Sequence, residues 1–227
     1  MAFLIAFEGI DGSGKGTQAK RLYEGLAAAG IRTQQTGFPR YSATFFGRAV
    51  GAFLNGEYGE LQHVDPFLAA MLYAGDRYES KTHLAELAET ADVIVLDRWM
   101  ASNLAHQAAR RTGAERETLL SQIRHLECTL YGLPEADLTI LLDLPAEQAR
   151  ELVQQKAARD YTSRTHDLQE ADLAYQQTVR QVYRDLASAS NSWRTISCLA
   201  GDELRPVDDI AREILSAVQQ VLANCTG

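Results

Sequence analysis

Phe3-Leu4-Ile5-Ala6-Phe7-Glu8-Gly9-Ile10-Asp11-Gly12-Ser13-Gly14-Lys15-Gly16-Thr17 decides the reading of this chain. The apolar run Phe3–Phe7 reads as a buried strand, and it empties into a glycine-rich turn. A helical pattern comes next, with Ala19, Leu22, Tyr23 and Leu26 at i, i+3, i+4 and i+7. Glycines let successive backbone N–H groups converge on one anion. A helix N-terminus adds a partial positive charge, and Lys15 adds a full one. The stretch matches the phosphate-binding pattern G-x-x-x-x-G-K-[ST] except at its last place, where Gly16 stands and Thr17 arrives one residue late. The competing reading is an ordinary strand-to-helix turn carrying a surface lysine.

Outward from this turn, short apolar runs alternate with helical spacing. Strands are expected at Ile31–Thr36, Val93–Leu96, Leu138–Leu142 and near Thr195–Ser197. Helical spacing falls around Phe45–Leu54, Phe67–Tyr73, Leu119–Leu130, Pro145–Val153, Tyr175–Leu186 and Val207–Leu222. Alternation of this kind implies a parallel sheet covered on both faces, with ligands gathering at the carboxyl ends of its strands. A chain of 227 residues with 46% hydrophobic content can bury one sizeable core, and no linker or repeat divides it, so one domain, residues 1–227, is expected.

A net charge of −8 argues against a general binder of nucleic acid or membrane surfaces, while leaving room for a local cationic site. Cys128, Cys198 and Cys225 are odd in number and have no C-x-x-C spacing, which reads as reduced thiols of a cytoplasmic protein. The five histidines show no metal-ligand spacing.

The polar residues worth naming lie just past strand ends. Asp97-Arg98 comes directly after Val93–Leu96, and a carboxylate there, beside a phosphate loop, suits the Mg²⁺ of a nucleotide, directly or through water. Arg98 offers a planar fork of donors for phosphate oxygens. Phe38-Pro39-Arg40 presents an arginine from a constrained turn, and Tyr73-Ala74-Gly75-Asp76-Arg77 ends a helical stretch. Taken alone, Arg40 reads as a loop arginine, Tyr73 as core, and Arg77 as a partner of Asp76. Together the cations suit phosphoryl transfer, which asks a protein for positioning and charge neutralisation rather than covalent chemistry.

In order along nearly the whole chain, these segments resemble those of thymidylate kinases, enzymes that phosphorylate dTMP with ATP. Phe7–Lys15 resembles that family's phosphate loop, Phe38-Pro39-Arg40 its F-P-R segment, and Leu72–Arg77 its L-F-A-x-D-R helix end. Asp97-Arg98-Trp99-Met100-Ala101-Ser102-Asn103 is similar to its D-R-Y…S-N segment. Asp167–Glu170, with Tyr175, Val179 and Tyr183, is similar to the segment just beyond its mobile lid. The resemblance implies a P-loop NTPase-type three-layer α/β/α fold with about five parallel strands, a lid near residues 155–168, and a homodimer. It implies that Gly9, Gly12, Ser13, Gly14, Lys15, Gly16 and Thr17 hold ATP, with Mg²⁺ at Asp97 and Thr17. Asp11 would approach the sugar 3′-hydroxyl, and Arg40 and Arg98 would hold the acceptor phosphate beside Phe38 and Pro39. Tyr73 would stack on thymine, Arg77 would reach a base carbonyl, and Asn103, His106 and Gln107 would complete the acceptor pocket. Lys15, Arg98 and Asp11 would act in catalysis. With Gly12 in the loop, the arginine that assists the transferring group would come from the lid, as Arg164 or Arg159.

Four positions depart from the family pattern: Gly16 replaces a serine, Tyr73 a phenylalanine, Trp99 a tyrosine, and His106 a tyrosine that crowds the sugar 2′ position. Gly-Lys-Gly-Thr-Gln is also similar to adenylate kinases, so another nucleoside-monophosphate kinase is the nearest alternative. A deoxynucleoside kinase would need a carboxylate base for a neutral hydroxyl, whereas Arg40 and Arg98 suit an anionic acceptor. A GTPase-like switch would carry N-K-x-D, and no Asn here precedes Lys.

Overall fold

The structure, a computed structural model, describes residues 2–154 and 172–225. The expected lid, with Arg159 and Arg164, lies outside the described residues. Five parallel strands form the central sheet in the order β2-β3-β1-β4-β5. They are β1 (Phe3–Glu8), β2 (Thr33–Gly37), β3 (Val93–Asp97), β4 (Leu138–Asp143) and β5 (Trp193–Ser197). The helices are α1 (Lys15–Ala28), α2 (Phe45–Leu54), α3 (Pro66–Glu79), α4 (Lys81–Thr90), α5 (Met100–Ala108), α6 (Gly113–Arg124), α7 (Ala146–Gln154), α8 (Leu173–Ser188) and α9 (Val207–Cys225). A two-residue hairpin, β6 (Leu199–Ala200) with β7 (Glu203–Leu204), precedes α9. No described helix is long and apolar enough to cross a membrane.

Side chains of a strand alternate between faces, so each inner strand needs apolar residues at every position. On one face of β1 and β3, Leu4, Ala6, Ile94 and Leu96 pack with Trp99, Met100 and Leu133, under Leu84 and Leu87 of α4. On the other, Ile5, Phe7, Val93 and Val95 pack with Ala19, Leu22 and Leu26 of α1 and with Ile214 and Val218 of α9. Local chemistry sets the helix starts. The Thr44 hydroxyl accepts from the Gly47 amide at 2.7 Å and Asp65 from the Phe67 amide at 2.8 Å, with Pro66 at the first position of α3.

Register brings the site together. Phe7 pairs with Asp97 across β1 and β3, and Gly37 pairs with Asp97 across β2 and β3. The phosphate loop, the Phe38-Pro39 turn and Asp97-Arg98 therefore leave three adjacent strands at the same level. The chain runs from β1 to β2, returns to β3, and then crosses to β4 on the far side of β1, so this is also where the sheet order reverses.

The expected helix Leu119–Leu130 is two structures. α6 ends at Arg124, and His125–Leu130 winds as a π-helix, with the Tyr131 amide donating to the Leu126 carbonyl at 2.9 Å. This wider turn carries Glu127 into the interior.

Candidate active site

Above these strand ends lies a cavity of about 460 Å³, within the range of small-molecule sites. Asp11, Gly12, Gly14, Lys15, Gly16 and Thr17 line one side of it. Gly9, Gly12 and Gly14 all have positive φ, and Gly14 is the left-handed cap of α1, which has neither a side-chain cap nor an acidic residue in its first turn. The helix start is thus left open to an anion. A side chain on Gly12 would collide with the Ala149 carbonyl of α7, and one on Gly9 would sit 2.8 Å from the Ser13 Oγ. Gly9 and Ser13 shape the turn without lining the cavity.

Lys15 donates to the Ile10 carbonyl at 2.7 Å, across the base of the loop. Burial, and then the Arg98 charge, push its ammonium down to about 7, against the pull of Asp11, Asp97 and Glu8. Asp97 ends β3 beside the first turn of α1. A Cβ at position 16 would stand 2.9 Å from its Oδ2, which is why glycine fits where a serine would crowd the carboxylate. The Asp97 Oδ1 is buried with no hydrogen-bond partner among the described residues. Among the described residues no three His, Cys, Asp or Glu side chains cluster as a metal site.

Arg98 has φ 67 and donates through Nη1 to the Ser102 Oγ at 2.9 Å and through Nη2 to Asp11. Opposite the phosphate loop, Phe38, Pro39, Tyr41, Leu54 and Tyr73 form an apolar wall, and Phe38 lies against Trp99 with ring centroids 5.1 Å apart. Arg77 does not pair with Asp76. It is 2% exposed and makes a two-point ion pair with the fully buried Glu127, at 2.6 and 2.7 Å. Asn103 donates to Glu127 at 2.8 Å and to the Ala70 carbonyl at 3.0 Å.

Along α5, Asn103 Oδ1, His106 Nε2 and Gln107 Nε2 are buried without hydrogen-bond partners among the described residues, and all three residues line the cavity. Three orphaned polar groups on one wall are expensive unless a ligand satisfies them. Burial first, then Arg98, push the His106 imidazole down to about 3, so it is neutral at physiological pH. The Tyr175 hydroxyl donates to the His106 carbonyl at 2.9 Å and lies 3.2 Å from Nδ1. In the tautomer that pairs with this hydroxyl as acceptor, Nδ1 carries the imidazole proton and Nε2 is an acceptor.

Among the residues expected to bind the acceptor, Arg40 stands apart. Arg40, read as a ligand of the acceptor phosphate, does not line the cavity. Asp76 accepts from its amide at 2.9 Å, and its guanidinium runs to the Ser80 hydroxyl at 3.2 Å. Tyr41 takes its place on the wall. Sequence reasoning also missed Glu127 and assigned no role to Glu8 or Ser102. Glu8 is the last residue of β1, buried beneath Arg98, and it holds the Trp99 amide at 2.8 Å.

A phosphate loop at the sheet's switch point, sharing one cavity with an apolar slot and a polar helix edge, defines a nucleoside-monophosphate kinase of the P-loop class. The family model described as thymidylate kinase matches residues 7–206. A thymidylate kinase of Mycobacterium tuberculosis is 35% identical over 185 residues, covering 82% of this chain and 86% of its own. That of Deinococcus radiodurans is 33% identical over 218 residues (95% and 96%), and that of a Roseiflexus species 28% over 236 (100% and 97%). The chain belongs to the thymidylate kinase family.

Proposed function

We propose that this protein transfers the γ-phosphoryl group of ATP to dTMP, giving dTDP and ADP in nucleotide biosynthesis, and that residues 1–227 form one kinase domain. The observation that carries the acceptor assignment is the α5 edge. Asn103 Oδ1, His106 Nε2 and Gln107 Nε2 are buried, unpartnered among the described residues, in the same cavity as the phosphate loop. They offer acceptors and a donor to a base and its sugar, while Tyr73 supplies a ring face for stacking. The Arg77 guanidinium, neutralised by Glu127, is a rigid donor for a base carbonyl rather than a free cation for a phosphate.

The phosphates of ATP lie on the amides of Gly12–Thr17 and the Lys15 ammonium. The acceptor phosphate lies against Arg98, displacing Asp11, whose carboxylate then turns to the sugar hydroxyl. The orphaned Asp97 Oδ1, with the Thr17 hydroxyl on the same cavity, suits one Mg²⁺ whose other ligands are nucleotide oxygens and water. That ion would neutralise phosphate charge during transfer. The two nucleotides meet in line with their charges pre-neutralised, and the slot of Phe38, Pro39 and Tyr73 keeps water from the acceptor. Gly12 has no room for an arginine, so the charge on the transferring group is assigned to Arg164, with Arg159 as the alternative.

Phe45, Leu68, Met71 and Tyr78, all exposed on the packed pair α2 and α3, support the homodimer. Cys128 and Cys198 are free thiols, which supports the cytoplasmic assignment. The test is ADP release from ATP–Mg²⁺ against dTMP, dUMP, dGMP, AMP and thymidine. Strong preference for dTMP is expected. Preference for AMP or thymidine would overturn the base-pocket assignment, and silence across the panel would overturn the kinase reading.

A further inference from the structure

A buried polar network runs from Ser102 on the cavity wall to Glu8 in the interior. Glu8 is fully buried, and three donors converge on its carboxylate: the Trp99 amide at 2.8 Å, the Ser102 hydroxyl at 2.6 Å and the Tyr183 hydroxyl at 3.0 Å. Ser102 in turn accepts from Arg98 Nη1 at 2.9 Å. A carboxylate satisfies three donors at once, whereas a protonated acid needs an acceptor for its own proton. Burial pushes this carboxyl up, opposed by the Ser102 hydrogen bond, the Arg98 charge, the Trp99 amide and the Tyr183 hydroxyl.

The same three partners explain a backbone anomaly. Arg98 is the only described residue other than glycine with positive φ. Such a conformation persists only where its surroundings over-determine it. Trp99, the next residue, caps α5, yet its side chain makes no capping hydrogen bond. The Glu8 carboxylate fills that role from another strand, gripping the Trp99 amide and placing an anion at the start of α5.

We infer that Glu8 and Ser102 are positioning residues for Arg98: the Glu8 carboxylate, through the Ser102 hydroxyl and the Trp99 amide, holds the Arg98 turn and one edge of its guanidinium. The other edge is thereby presented to the phosphate of the acceptor. Nη1 is committed to Ser102, Nη2 meets Asp11, and Nε makes no hydrogen bond among the described residues. A guanidinium fixed on one side loses less freedom on binding a phosphate than one swinging from a free stem. The inference rests on the acceptor being a nucleoside monophosphate.

The test is equilibrium binding of dTMP and of thymidine, by calorimetry, to the wild type, Ser102→Ala, Glu8→Gln, Arg98→Ala and Ser102→Ala/Arg98→Ala, after turnover on dTMP is established for the wild type. Ser102→Ala should weaken dTMP binding about tenfold and thymidine binding less than twofold, a coupling of ordinary size for contacting residues. On the Arg98→Ala background it should cost less than twofold for either ligand. Glu8→Gln should behave as Ser102→Ala does. If its loss of a buried charge prevents folding, Ser102→Ala still carries the test, because it removes one hydroxyl from a helix. Equal weakening of dTMP and thymidine, or an undiminished effect on the Arg98→Ala background, reduces the network to packing and overturns the inference. A wild type that phosphorylates dTMP while Ser102→Ala binds it normally overturns the inference alone. A wild type silent on dTMP overturns the reading beneath it as well.

Discussion

Replacing Glu127 by leucine should be the most damaging single change near the site, although Glu127 does not line the cavity. The substitution leaves Arg77, 2% exposed, with a full charge and no counter-ion. Removing one partner of a buried pair costs about 3–5 kcal/mol, because the remaining charge keeps its desolvation penalty and loses its compensation. Asn103 loses one of its two hydrogen bonds and keeps that to Ala70, about 1 kcal/mol more. For a domain of this size each kcal/mol lowers the melting temperature by about 2–4 °C, so a drop of about 8–24 °C is expected by calorimetry or circular dichroism. The double variant Arg77→Met/Glu127→Leu removes both charges and should recover most of that loss. It should still bind dTMP poorly, since the donor for the base is gone. A Glu127→Leu variant that melts within about 3 °C of wild type would show that water reaches the pair and refute the argument. A double variant no more stable than the single one would show that Glu127 acts through packing.

Other expectations use the phosphate side of the cavity. Lys15→Ala should cut turnover about a hundredfold or more without lowering the melting temperature, and near-wild-type rates would remove Lys15 from the loop's function. Because the folded Lys15 titrates near 7, below its ordinary 10.5, the unfolded chain binds more protons between those values. Its contribution to stability therefore rises with pH across that window. By the same linkage, ATP affinity of the free protein should fall about tenfold or more between pH 7 and 9, whereas Lys15→Arg, always charged, should show no such fall. A flat profile in the wild type refutes this. Asp97→Asn should raise the Mg²⁺ needed for half-maximal turnover about tenfold without lowering the melting temperature, and unchanged Mg²⁺ dependence would take Asp97 out of the metal site. Gly12→Ala meets both a positive φ of 86 and the Ala149 carbonyl, and should cost about 2 kcal/mol or more, about 5 °C in melting temperature. An unchanged melting temperature would mean that α7 moves aside freely.

What the sequence shows of the fold depends on which elements carry a one-sided pattern. β1, β3 and β4 are interior strands, and their apolar runs, interrupted only by Thr139 in β4, mark them within a residue of their observed ends. β2 and β5 are the edges of the sheet, half-buried and partly polar, so the expected Ile31–Thr36 and Thr195–Ser197 drift from Thr33–Gly37 and Trp193–Ser197. α5 is silent in the sequence for the opposite reason. Every residue from Met100 to Ala108 is buried, so no face contrasts with another and helical periodicity vanishes. α4 begins at the residue after Ser80, which also ends α3, and only half-buried Leu84, Leu87 and Ala88 mark its inner side.

The site divides along a similar line, between contacts made by neighbours in sequence and contacts made across the fold. The phosphate loop is legible because its function lies in its own backbone: three positive-φ glycines, a helix start and a lysine within seven residues. Asp97 is legible because a strand end fixes where a carboxylate sits. Arg40 shows the limit of this reasoning. Its place in the Phe38-Pro39-Arg40 turn is legible, but its contacts are not: Asp76, 36 residues away, holds its backbone amide, and Ser80, 40 residues away, takes its guanidinium. Glu127 lies 50 residues from Arg77 and reaches it only through a π-helical turn that no residue pattern announces. Glu8 is in plain view in the loop motif, yet its partners Trp99, Ser102 and Tyr183 stand 91, 94 and 175 residues away. A motif thus identifies the groups that meet the ligand. The buried charges that hold those groups still come from distant turns of the chain, and their loss is predicted to separate binding of the phosphate from binding of the base.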